Sequence, residues 1–116
     1  MTIAELVQLR LGLFTLNTNR QPYHVPHVDY QDDGLKYTAI YYLNDSDGDT
    51  YFFNEFLDPN IKRFINGYDP SLFTVAKSVK PKQGKLVLFD GRRYHASSYP
   101  ESTPERMVLN INFAPV

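Results

Sequence analysis

Three residues have side chains of the type and spacing that bind a metal ion. His27 and Asp29 are separated by a single valine in a stretch that reads as extended chain. Side chains at positions i and i+2 of an extended chain point to the same side, so this imidazole and carboxylate converge. His95 follows Asp29 by 66 residues, again in a β-rich context. Two histidines and one carboxylate hold one face of a divalent metal and leave other positions open. We therefore predict a metal site at His27, Asp29 and His95.

A further candidate is Arg106, which follows His95 by 11 residues in an apparent strand. Because side chains alternate along a strand, residues 106–113 have two faces. The polar face carries Arg106, Val108, Asn110 and Asn112. The apolar face, which we predict as core, carries Met107, Leu109, Ile111 and Phe113. An inward arginine needs an anionic partner, and its guanidinium fork suits a carboxylate. A solvated outer face is the alternative for the polar side.

The composition narrows the classes of function. The chain has 116 residues, 12 basic and 13 acidic, so its net charge of −1 disfavours a strongly cationic nucleic-acid binder. It has no cysteine, which excludes a disulfide scaffold, a thiolate metal site and a cysteine nucleophile, and fits a cytoplasmic location. No apolar run approaches the roughly 20 residues of a membrane helix, so no membrane partner is expected. The length predicts a single domain over residues 1–116.

These residues need a scaffold, and the sequence reads as short strands separated by turn signals. Pro26 disfavours a helix around the metal-binding pair, and Asp47-Gly48 is a strong hairpin signal. We predict about eight strands, at 6–16, 23–30, 36–43, 50–56, 72–79, 85–90, 93–97 and 106–113. A short helix near 2–9 is the alternative for the first of them. The predicted fold is a mainly all-β, jelly-roll or double-stranded β-helix core with little helix.

Several motifs together resemble one known family. In chain order they are HVD at 27–29, TAIYYLN at 38–44, GDTYF at 48–52, KPKQGKLVLF at 80–89, YHAS at 94–97 and ERMVLNINF at 105–113. Their types and order are similar to the 2-oxoglutarate/Fe(II)-dependent dioxygenases, and in particular to the prolyl 4-hydroxylase-like branch. The resemblance covers residues 23–113, most of the chain.

The resemblance implies a role for each matching position. His27, Asp29 and His95 match the iron ligands. Arg106 matches the residue that pairs with the distal carboxylate of 2-oxoglutarate, and Tyr42 matches a tyrosine that hydrogen-bonds the same carboxylate. Four further residues are candidates for lining the pocket: Asn110, Asn112, Arg92 and Arg93.

The resemblance also implies the reaction. Fe(II) is the expected cofactor, 2-oxoglutarate and O2 the cosubstrates, and ascorbate a further candidate. Such enzymes couple decarboxylation of 2-oxoglutarate to succinate and CO2 with hydroxylation of a substrate. The carboxylate of Asp29 favours hydroxylation, because halogenating relatives have a small residue there. Likeness to prolyl hydroxylases favours a peptidyl or free amino acid as substrate.

Two other interpretations bear on function. A non-catalytic or differently metallated cupin-like binding module would use the same scaffold, although cupins typically have an H-x-H element that this sequence lacks. The acidic stretch 44–55 is not an EF-hand loop. With Gly48 at the glycine position of such a loop, Leu43 and Asn54 would be the first and twelfth ligands, and neither suits that position. Finally, the short chain offers little to cover the outer face of the last strand, where Met107, Leu109, Ile111 and Phe113 are too apolar to be left exposed, so we expect a homodimer.

Overall fold

The chain is almost entirely β-structure in the computed structural model, which describes residues 3–16, 22–29, 36–58, 60–61, 63–64 and 67–115. The strands in these ranges are β1 (Ile3–Thr15), β2 (Tyr37–Tyr42), β3 (Thr50–Phe56), β4 (Val75–Val79), β5 (Leu86–Asp90), β6 (Arg93–Ala96) and β7 (Glu105–Pro115). A single 3-10 turn at Pro70–Leu72 precedes β4. A helix with the length and apolar character to cross a membrane is not found in the described ranges.

The strands form two antiparallel sheets. The larger has the order β1-β7-β2-β5 and the smaller the order β4-β3-β6. All pairings are antiparallel, and β1 and β7 pair over nearly their full length. This architecture confirms the predicted jelly-roll or double-stranded β-helix class. β-branched and aromatic residues dominate β2 and β3, as expected for strands that face a core.

Two of the sequence-based expectations differ from the structure. The helix considered near 2–9 does not form, because β1 already begins at Ile3 and pairs with β7. The segment predicted as a strand at 23–30 is extended but forms only an isolated bridge, between His27 and His95. Residue 30 lies outside the described residues. The other seven predicted strands each overlap an observed one.

Two apolar clusters form the core, one between the two sheets and one on the opposite face of the smaller sheet. The first joins β2, β3, β5 and β7 through Ile40, Tyr42, Phe52, Phe89 and Val108. The second lies beneath the smaller sheet and contains Phe53, Phe73, Tyr94 and Ala96. Alternation along β7 is as predicted, and Arg106, Val108 and Asn112 are buried on the side that faces the smaller sheet. The polar face of β7 is therefore the inner one, and the solvated alternative is wrong.

The predicted core position of the other β7 face is also wrong. Met107, Leu109 and Ile111 are only partly buried, and Phe113 alone is buried. They share the outer face of the larger sheet with six leucines that are 49–67 % exposed: Leu6, Leu9, Leu11, Leu13, Leu86 and Leu88. Alternation shows which residues of a strand share a face. It does not show which face is inside, because the inner face of β7 carries buried polar residues such as Arg106 and Asn112.

Candidate metal centre and anion pocket

The segment that carries His27 and Asp29 is held against β6 by backbone hydrogen bonds. The His27 and His95 backbones exchange two of them, with N···O distances of 2.9 and 3.0 Å. The Asp29 N–H donates to the carbonyl of Gly91 at 2.9 Å. This pairing places His95 directly opposite His27, while the i, i+2 spacing turns Asp29 to the same side.

The three side chains converge as the sequence predicted. Asp29 Oδ1 lies 3.6 Å from His27 Nε2, and Asp29 Oδ2 lies 3.5 Å from His95 Nε2. One ligand atom from each residue can be chosen so that all lie within 4.8 Å of one another. Ligands at right angles around a metal with bonds of about 2.1 Å are about 3 Å apart, so a small contraction suffices. Two imidazoles and a carboxylate are also the donor set that suits Fe(II).

Each histidine ring is oriented by the backbone of the residue two positions before it. His95 Nδ1 lies 2.8 Å from the carbonyl oxygen of Arg93, two residues earlier, which leaves Nε2 directed at Asp29. His27 likewise hydrogen-bonds the backbone of Val25. An Nδ1–H that donates to a carbonyl keeps the Nε2 lone pair free for a metal.

Electrostatics favour the protonation states that a metal requires. Partial burial of the ring, together with the neighbouring His95, lowers the pKa of His27 to about 4, so this imidazole is neutral at pH 7. Burial would raise the pKa of Asp29, but the adjacent His95 and the hydrogen bond from Thr38 outweigh it and lower that pKa below its ordinary value. A neutral imidazole beside an ionised carboxylate is ready to bind a cation without first losing protons.

A second centre surrounds Arg106, whose residue is only 2 % exposed. Its Nε donates to the carbonyl of Gly48 at 2.7 Å, and its Nη2 donates to Thr50 Oγ1 at 2.7 Å. Both acceptors are neutral, and within the described ranges no carboxylate lies within salt-bridge distance of this guanidinium. Such a buried charge lacks the compensation that a paired ion would provide.

Gly48 permits this close approach. A Cβ at this position would lie 2.7 Å from the carbonyl oxygen of Ser98, 3.0 Å from the Pro100 nitrogen and 3.0 Å from Arg106 Cδ. The loop that presents the Gly48 carbonyl is fixed by its neighbour Asp47, whose carboxylate accepts hydrogen bonds from the backbone and hydroxyls of Ser102 and Thr103. Glycine is therefore required here for space.

A cavity of about 520 Å³ joins the two centres. Metal-site residues His27, Asp29 and His95 line it, as do Arg106 and Thr50. Asn110 and Asn112 line it too, as expected from their place on the inner face of β7. Its other walls are formed by Arg10, Leu11, Gly12, Leu13, Phe14, His24, Ile40, Ser97 and Val108.

Three candidate residues lie elsewhere. Tyr42 does not line the cavity, because its buried hydroxyl is 2.7 Å from Thr50 Oγ1 and it stands behind that threonine. Arg92 forms a two-pronged ion pair with Asp90, at 3.1 and 2.9 Å. Arg93 donates to the carbonyl of Phe53 at 2.9 Å and lies over the ring of Phe56. Local pairing partners thus draw both arginines away from the cavity.

Sequence reasoning missed three contributors to the site. Thr38 hydrogen-bonds Asp29, Thr50 hydrogen-bonds Arg106, and Gly48 supplies a carbonyl to the same arginine. Thr50 was visible as part of the GDTYF motif, but only the pairing of its strand reveals its hydroxyl contact. Nothing in the sequence distinguishes Thr38 from an ordinary strand residue.

Comparison with known proteins gives a family and a fold. Residues 14–114 match the family described as the 2OG-Fe(II) oxygenase superfamily. Fourteen chains of solved structures also match. One is the crystal structure of the non-heme alpha ketoglutarate dependent epimerase SnoN from nogalamycin biosynthesis, with a TM-score of 0.61 and 18 % identity. The alignment covers 95 % of this chain and 48 % of that one, so this chain spans about half its length. No curated protein matches.

Proposed function

This chain belongs to the 2OG-Fe(II) oxygenase superfamily, and from that premise we propose that it is a hydroxylase. In this proposal His27, Asp29 and His95 hold Fe(II), and Arg106 binds the distal carboxylate of 2-oxoglutarate. The observation that carries it is the single cavity shared by the His-Asp-His cluster and a buried arginine without a carboxylate partner in the described ranges.

The charge of Arg106 supports a dicarboxylate cosubstrate. Its two neutral hydrogen-bond partners orient the guanidinium, while Asp49, beyond salt-bridge distance, and the rings of Phe14 and Tyr42, each 5.8 Å away, offset its positive charge only in part. A carboxylate that enters the cavity would supply the missing negative charge, and charge-assisted hydrogen bonds of this kind are the strong ones. A second carboxylate, at the other end of the same molecule, would then lie toward the histidine cluster. The proposal thus explains why both centres line one cavity.

Iron, if bound with 2-oxoglutarate, would supply oxidative chemistry in which O2 converts 2-oxoglutarate to succinate and CO2 and oxidises a substrate. The protein's own contribution is positioning and the exclusion of water. The carbonyls of Arg93 and Val25 orient the two imidazoles, and Ile40 and Val108 contribute apolar surface to the cavity. We further propose a peptidyl or free amino acid as substrate, on the likeness of the motifs to prolyl hydroxylases.

A spectroscopic experiment tests the site, and product analysis tests the reaction. Anaerobic addition of Fe(II) and 2-oxoglutarate should give a weak visible charge-transfer band. Its absence from folded, metal-loaded protein would refute the proposal and favour a non-catalytic binding module. Amino acids and peptides would then be screened by succinate release under air. A hydroxylase yields a product one oxygen atom heavier, whereas a product of unchanged mass and inverted configuration would contradict hydroxylation.

We also propose that a second copy of this chain covers the outer face of the larger sheet. The six leucines there are about half to two-thirds exposed, and partly buried Met107, Leu109 and Ile111 lie between them. Monomers rarely expose an apolar patch that extends across several strands. The charged residues of this face, Asp90 and Glu105, stand at strand ends, so two copies can meet across a two-fold axis without like-charge repulsion.

A further inference from the structure

Two buried threonines, one on each sheet, each contact one charged group of the site. Thr38 lies on β2 and is 2 % exposed, and Thr50 begins β3 and is 1 % exposed. The Thr38 hydroxyl donates a short hydrogen bond to Asp29 Oδ2. The Thr50 hydroxyl accepts a hydrogen bond from Arg106 Nη2 at 2.7 Å. The two threonines are about equally buried, but Thr38 contacts a carboxylate and Thr50 contacts a guanidinium.

The contact at Thr38 fixes the carboxylate of Asp29. Asn112 Oδ1 lies 3.1 Å from the same hydroxyl, so two acceptors compete for one proton. The ionised carboxylate is the stronger acceptor, so the proton is directed at Asp29 Oδ2. With Oδ2 held in this way, Oδ1 remains facing His27 Nε2, 3.6 Å away. The Thr38 hydroxyl thereby fixes the orientation of the Asp29 carboxylate plane.

The contact at Thr50 fixes the guanidinium of Arg106. Its hydroxyl is also 2.7 Å from the hydroxyl of Tyr42, which is fully buried. Tyr42 therefore holds Thr50, and Thr50 holds Arg106. Arg106 is also held by the carbonyl of Gly48, which accepts from its Nε–H. A long, flexible side chain is in this way kept in one orientation before any anion enters the cavity.

We propose that Thr38 and Thr50 are positioning residues with separate tasks, Thr38 for the metal and Thr50 for 2-oxoglutarate; this rests on the proposed function. Groups that orient a metal ligand typically change metal affinity by about 10- to 100-fold when removed. A hydrogen bond to a charged group has an effect of at least about tenfold on binding. The two threonines should therefore affect two different binding constants.

The experiment measures two affinities for wild-type protein and two isosteric variants. Mn(II), which replaces Fe(II) without oxidation, is titrated and free Mn(II) is followed by electron paramagnetic resonance. Binding of 2-oxoglutarate to the Mn(II)-loaded protein is then followed by calorimetry. Thr38→Val should weaken Mn(II) binding by about 10- to 100-fold. Thr50→Val should leave Mn(II) binding within about twofold and weaken 2-oxoglutarate binding by about tenfold.

Paired variants separate lost chemistry from lost packing. Thr38→Ser and Thr38→Ala both remove the methyl group and differ in the hydroxyl alone, so serine should restore Mn(II) affinity and alanine should not. The same pair at position 50 should behave likewise toward 2-oxoglutarate. This comparison also serves if a valine variant fails to fold.

The outcomes distinguish this inference from the function on which it rests. Wild-type protein that binds neither Mn(II) nor 2-oxoglutarate would refute the proposed function itself. Wild-type protein that binds both, with equal Mn(II) affinity in Thr38→Ser and Thr38→Ala, would overturn the role of Thr38 alone. Equal weakening of both ligands by either valine variant would indicate a general packing effect and would overturn the division of tasks.

Discussion

The two faces of the larger sheet differ from the usual distribution of polarity, because the inner face carries polar side chains beside the apolar cluster of Ile40, Tyr42 and Val108. Its inner face carries Arg106, Asn110 and Asn112 from β7, and these polar side chains line an interior cavity. Its outer face carries half-exposed leucines, such as Leu11 and Leu88. Antiparallel sheets usually direct apolar side chains inward and polar ones outward. This difference fits the proposed ligands on the inner face and a second copy of the chain on the outer face.

If ligands shape the inner face, removal of a ligating group should abolish function without unfolding the sheet. His95→Ala is expected to eliminate Fe(II)-dependent succinate formation and to weaken Mn(II) binding by more than about 100-fold, because one of three protein ligands is lost. Circular dichroism should retain the β-sheet signal, since the backbone bridge between His27 and His95 does not need the imidazole.

His24 offers a matched control for that variant. It lines the same cavity and packs against Phe14, with ring centroids 4.8 Å apart, but lies outside the metal cluster. His24→Ala should therefore keep its Mn(II) affinity within a few-fold of wild type. Loss of Mn(II) binding in His24→Ala but not in His95→Ala would show that the ligands are assigned incorrectly.

The next effect separates the two centres of the inner face. Arg106→Ala should weaken 2-oxoglutarate binding by about 100-fold or more, because a buried charge pair can no longer form. Mn(II) affinity should change little, since this side chain contacts Gly48 and Thr50 and no member of the metal cluster. Calorimetry with 2-oxoglutarate and a Mn(II) titration give the two constants.

Arg93→Ala is the control for loss of an interior arginine. Arg93 also donates to a backbone carbonyl, that of Phe53, but lies outside the site cavity. This variant should bind 2-oxoglutarate as wild type does. The assignment of Arg106 fails if Arg106→Ala loses the metal while its 2-oxoglutarate affinity is unchanged.

Much of this inner face was predictable because it depends on local alternation. The i, i+2 spacing placed His27 beside Asp29, and the parity of β7 placed Arg106 on the side of Asn110 and Asn112. Strand positions followed from turn residues such as Gly84, whose φ of +84° suits glycine. These inferences need only the sequence within a few residues of each position.

The features that were not predicted depend on register between distant strands. Thr38 meets Asp29 only because the segment before β2 folds back onto β6, and Gly48 meets Arg106 across 58 residues of sequence. Arg92 and Arg93 were expected at the pocket from charge and proximity to His95. The charge of a side chain does not show which way it points, however. Arg92 pairs with Asp90, and Arg93 donates to the Phe53 carbonyl.

A smaller effect, on stability, tests how tightly the inner face is built at Arg106. Gly48→Ala should lower the free energy of unfolding by about 2 kcal/mol, since the added methyl overpacks a site bounded by backbone atoms. Gly12→Ala is the control, because its Cβ would meet the Val108 side chain at 3.2 Å and side chains can adjust. Thermal or urea unfolding measures both, and equal stability of the two variants would contradict the steric argument.

The smallest effect on the stability of a single copy is expected for a substitution on the outer face. The same substitution tests whether a second copy covers that face. Leu11 is 67 % exposed, so Leu11→Lys should change the stability of a single copy by no more than about 0.5 kcal/mol. In a two-fold dimer the same change occurs twice and buries two charges in an apolar interface, which should weaken association by more than about tenfold. Sedimentation equilibrium at micromolar concentrations measures it, and Leu72→Lys, which alters an exposed leucine of the 3-10 turn, should leave the dimer intact. If wild-type protein sediments as a monomer under these conditions, the outer face is not covered by a second copy, and the exposed leucines need a different explanation.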